Sequence, residues 1–95
     1  MKVRQVTHYI RSDDVIIIVV DEDENVSCLA KIEATIVATF SAIKTDELVG
    51  LDQIYIDLKI EDNLLIIAWD SMAGISIECE NPELRERIFK HLQKI

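Results

Sequence analysis

Three hydrophobic rhythms follow one another along the chain: unbroken apolar runs, strict alternation and a 3.6-residue spacing. Residues 15–20 are an unbroken β-branched run halted by Asp21-Glu22-Asp23-Glu24-Asn25. That predicts a strand buried on both faces, then a polar turn, with residues 26–30 returning as its hairpin partner. From 31 to 48 the spacing turns helical, with Ile32, Ile36, Phe40 and Ile43 on one side and Gly50 as the stop. Ile54, Ile56, Leu58 and Ile60 then alternate with Tyr55, Asp57 and Lys59, the signature of a strand with one solvated face. Residues 64–69 and 74–79 supply two further strands, close enough in sequence to complete an antiparallel meander. Asn81, Pro82 and Glu83 are an N-cap, a first helical residue and a favourable first-turn acid, so a helix runs to the end of the chain on a stripe of Leu84, Ile88, Leu92 and Ile95. Val3, Val6 and Ile10 are spaced for a short helix among residues that also favour strands.

These elements predict a single domain over residues 1–95 of the α/β (α+β) class. Runs apolar on both faces belong inside a sheet and the alternating strand at 54–60 belongs at its edge, which places five antiparallel strands in the order 2-1-5-4-3. Because the first strand is apolar on both sides, the expected architecture is a three-layer α/β/α sandwich. The long central helix lies on one face and the terminal helices on the other.

Charge narrows the range of partners. The net charge is −8, and residues 12–80 hold sixteen acids against Lys31, Lys44 and Lys59. Such a field repels phosphate backbones and anionic lipid, so no nucleic-acid partner is expected. The longest apolar runs are far short of the ~20 residues of a membrane span, so no membrane insertion is expected. The N-terminal residues lack the apolar segment of a signal peptide, which makes the cytoplasm the expected location.

Chemistry-bearing residues are scattered. Cys28 and Cys79 lack the close pairing of a zinc or redox motif and read as small buried thiols. Asp21, Asp23 and Asn25 resemble the start of a calcium loop, but Val26 and Ile32 stand where that loop needs glycine and a bidentate glutamate. His8 and His91 have no second ligand at metal spacing, and Ser71 beside Asp70 is not set in a nucleophile elbow. No catalytic residue, cofactor or metal is expected.

The feature that calls for a function is the charge-free stretch 34–43. Projected on a helix, its large residues face one way, and Ala34, Ala38, Ser41 and Thr45 the other, where another backbone could approach. With Tyr55, Asp57 and Lys59 on the expected edge strand, these residues form a candidate interface for a symmetric homodimer or for pairing with a paralogue.

The order helix, hairpin, long helix, three-strand meander and C-terminal helix, with the runs 15–21 and 64–69, resembles the Roadblock family, related to a dynein light chain. The resemblance implies a dimeric, non-catalytic adaptor whose paired central helices form a platform for a Ras-like small GTPase, with a scaffolding or GTPase-activating role. The other reading of the same layout is a small-ligand sensor or a longin-like or profilin-like interaction domain, and a pocket lined by Met72, Trp69 and Phe89 would favour the sensor.

Overall fold

A computed structural model describes residues 1–7, 15–20 and 26–95. Eight elements follow in chain order: β1 (Val3–Thr7), β2 (Val15–Val19), α1 (Val26–Phe40), β3 (Ile43–Val49), β4 (Gln53–Ile60), β5 (Asn63–Asp70), β6 (Gly74–Cys79) and α2 (Pro82–Gln93). The strands form one antiparallel sheet in the order β1-β2-β6-β5-β4-β3.

This corrects the expected fold in four places. The N-terminal segment is a strand: Val3 to Thr7 pair in antiparallel register with Val19 to Val15. The ladder adds hydrogen bonds across its length, which a helix of five residues could not match. Residues 26–30 are the first turns of α1, because Leu29 extends the helical stripe of Ile32 and Ile36 backward, and all three are buried. The helix stops at Phe40 instead of running to residue 48. Ser41 takes a left-handed backbone (φ 54°), the conformation that commonly ends helices, and Ile43 begins a strand with its side chain 68% exposed. That strand, β3, forms the sheet edge, so the edge assigned to residues 54–60 is wrong: β4 is paired with β3 on one side and β5 on the other. Among the described residues the sheet therefore has six strands, not five in the order 2-1-5-4-3.

The layering differs as well. One row of the sheet runs Ile17, Ile77, Ile67, Ile56, and its members are buried. Val19, Leu58, Leu65, Ile75 and Cys79 lie on the same side and join Leu29, Ile32 and Ile36 of α1 and Leu84, Ile88 and Leu92 of α2 in one core. Both helices thus cover the same face, making a two-layer sandwich among the described residues. They also touch each other: His91 Nε2 on α2 lies 3.0 Å from Thr35 Oγ1 and 3.2 Å from Thr39 Oγ1 on α1. The His91 ring meets Phe40 edge-on at 5.6 Å, and the Arg87 guanidinium lies over Phe40.

Helix α2 begins as its sequence predicts. Asn81 accepts hydrogen bonds from the backbone N–H groups of Glu83 (3.0 Å) and Leu84 (3.1 Å), Pro82 occupies the first turn, and Lys90 and His91 lie in the last. Ile95, expected on the buried stripe, is 38% exposed.

Candidate interaction surface

Side chains alternate across a strand, so the core residues fix which ones point away from the helices. The outward residues are Ile16 and Ile18 on β2, Val20 just after it, and Leu64, Ile66, Ala68 and Asp70 on β5. All but Asp70 are apolar, and none is fully buried. An antiparallel sheet face in contact with water ordinarily carries polar residues at these positions. On the neighbouring strands the register brings Arg4, Ile18, Ser76, Ala68, Tyr55 and Leu48 into one outward row. The next row holds Val6, Ile16, Glu78, Ile66, Asp57 and Asp46.

Residue size shapes this face into a groove of about 370 Å³. Ala68, Gly74 and Ser76 lie along its floor on β5 and β6, Ile16 and Ile18 rise on the β2 side, and Tyr55 rises on the β4 side. Glu78 lines the groove at one end of β6 and Asp70 at the opposite end, on β5.

Asp70 is held by the turn that joins β5 to β6. Its Oδ1 accepts from the backbone N–H of Met72 (2.8 Å) and of Ala73 (3.1 Å), and its Oδ2 accepts from Gln53 Nε2 (3.0 Å). The Met72 N–H, then the Gln53 amide and the Ala73 N–H, keep its carboxyl below the usual carboxylate range. The turn closes at Gly74, whose φ of 81° suits glycine. A hydrogen bond from Ser71 N to Asp52 O (2.9 Å) sets the neighbouring turn beside it, so Leu51 and Met72, 100% and 96% exposed, stand on adjacent tips.

The residues expected at an interface are split between two sides of the molecule. Ala34 and Ala38 lie on the exposed side of α1, but Ser41 falls in the turn after it and Thr45 at a bulge in β3, where its hydroxyl donates to Asp57 O (3.3 Å). They do not form one helical face. Tyr55, Asp57 and Lys59 point from β4 to the open face of the sheet, and that strand's backbone is already paired on both sides. The edge beside β4 is β3, which carries Lys44, Asp46 and Glu47 and a register shift between Lys44 and Asp46, and these discourage strand addition there. Lys44 is further tied to Glu33 of α1 (3.1 Å) and to Glu47 (2.8 Å).

Sequence reasoning missed the groove, although its signal was present in the apolar outward positions of residues 15–20 and 64–69. Assigning helices to both sides of the sheet hid it.

Other candidates are placed as follows. Cys79 is buried, and burial pushes its thiol up, away from the reactive thiolate. Cys28 is partly buried on α1. Among the described residues no three His, Cys, Asp or Glu side chains gather to hold a metal ion, and no helix is long and apolar enough to cross a membrane. His8 and the acidic turn Asp21, Asp23 and Asn25 lie outside the described residues. Of the three residues whose shared pocket would favour a ligand sensor, Met72 projects from a turn tip while Trp69 and Phe89 pack on the core. No protein-family model, no curated protein and no solved structure matches the chain.

Proposed function

We propose that the protein is a non-catalytic interaction domain that works through the open face of its sheet. One observation carries this reading: every outward position of β2 and β5 except Asp70, at the end of β5, is apolar, and both helices lie on the other side. Contiguous apolar surface of this kind marks a binding site more often than a solvated face. Tyr55 and Asp57, expected at an interface, belong to this surface, while the small-residue patch of Ala34 and Ala38 is a separate one. The GTPase platform implied by the Roadblock resemblance depended on a strand order that the sheet does not have, so it lends no support to this reading.

The test is site-specific photo-crosslinking in extract of the native source. A photoreactive residue replacing Ile66 is expected to yield discrete protein adducts, and the same residue replacing Glu83 on α2 is not. Equal yields from both sites, or none from Ile66, would contradict the proposal.

A further inference from the structure

We infer that the open face receives an amphipathic helix from a partner protein, with lysine or arginine flanking the apolar stripe of that helix. The inference rests on the interaction-domain reading and names its partner.

The first argument is architectural. Strands apolar on both faces are found where helices cover both sides of a sheet. Here α1 and α2 supply one layer, and an external helix would supply the second. The groove gives such a helix a place to rest. Ile18 and Tyr55 stand three strand spacings apart, roughly 14 Å between backbones, comparable to the width of a helix at about 10–12 Å, so one lying across the face would seat its apolar stripe over the small residues Ala68, Gly74 and Ser76. An added strand fits less well, because the groove lies over β2, β6, β5 and β4, each already paired on both sides.

The second argument is electrostatic. Glu78 and Asp70 line the groove and Asp57 neighbours Ile66; of the cations, Lys59 on the same face lies 3.8 Å from Asp62, and Lys2 and Arg4 stand on or next to β1, outside the Ile16–Ile18 wall. The chain as a whole carries −8. Face-to-face association of two copies would bring these acids together, whereas a helix with basic flanks would meet them with opposite charge. That charge pattern favours a basic partner over a second copy.

The test titrates the isotopically labelled full chain with two designed 18-residue helical peptides sharing one leucine stripe. One is flanked by lysine and the other by glutamate. The lysine peptide is expected to bind at least about tenfold more tightly, a difference of about 1.4 kcal/mol, to weaken with added salt, and to shift the methyl signals of Ile16, Ile18 and Ile66. Replacing Asp57 and Glu78 together by lysine should reverse the preference. Ala68→Trp, which fills the floor, should abolish binding of both peptides while the core methyl signals persist. Equal binding of the two peptides, shifts confined to α1 and α2, or a doubled mass in sedimentation with the same methyls shifted would overturn the inference. If neither peptide binds but the crosslinker at Ile66 captures a protein, the helix assignment fails and the interaction face stands; if the crosslinker also captures nothing, both fail.

Discussion

Ile18 on β2 stands directly across from Ser76 on β6, so a tall side chain and a short one meet at the wall and floor of the groove. One residue earlier, Ile17 faces Ile77, and both are fully buried under the helices. The same strand pair therefore presents a packed core on one side and an unfilled apolar surface on the other.

Substitutions on adjacent residues of β5 should separate these two sides. Ile67→Ala removes a fully buried side chain from the isoleucine row and is expected to cost about 2–5 kcal/mol in urea denaturation. Ile66→Ser, on the open face, should cost less than about 1 kcal/mol if nothing in the chain covers it. Equal losses would place a covering layer over Ile66.

The turn between β4 and β5 is strained by its sequence. Glu61 and Asp62 both have positive φ (50° and 66°) in a two-residue hairpin loop closed by the Ile60–Asn63 pair. This is the geometry of a type I′ turn, for which Asn-Gly is the preferred sequence. Replacing the pair by Asn-Gly should raise stability by about 1 kcal/mol, read as a higher urea midpoint at unchanged slope.

Asn81 anchors the start of α2 through two hydrogen bonds from backbone N–H groups. Asn81→Ala leaves both donors without this acceptor and is expected to cost about 1 kcal/mol, whereas Asn81→Asp should retain the cap. Helix loss is checked by circular dichroism alongside denaturation.

Asp70 gives a signed pH dependence. Its carboxyl is held below its ordinary value in the folded state by Met72 N–H, Gln53 and Ala73 N–H, so its contribution is present above the unfolded carboxylate range. It is lost as pH falls through the lowered folded value. Asp70→Asn is therefore expected to be less stable than the parent at neutral pH and to converge with it in acid, as followed by denaturation across pH. A constant gap between the two would refute the assignment.

Much of the fold was written locally. The alternation at 54–60, the two following strands and the Asn81-Pro82 start of α2 are each set by residues within a few positions of one another, and each sits where its pattern indicates. The failures arose where a distant partner decides the outcome. Val3–Thr7 is a strand because it pairs with β2, and nothing within that segment separates the two options. Ile43 continued the helical wheel numerically, but the left-handed Ser41 breaks the helix before it, and serine is not the residue that ordinarily announces such a stop. The two-sided apolarity of residues 15–20 suggested helical cover on both faces, yet both helices pack on one. Which elements provide that cover depends on where each helix crosses the sheet, and the pattern within a strand does not encode that crossing.

Solvent access to the isoleucine methyls of the full chain tests the account most directly. With a soluble paramagnetic chelate added, the methyl signals of Ile16, Ile18 and Ile66 should broaden strongly while those of Ile17, Ile67 and Ile77 stay sharp. Equal protection of the two sets would show that the sheet is covered on both sides, and would contradict an open interaction face.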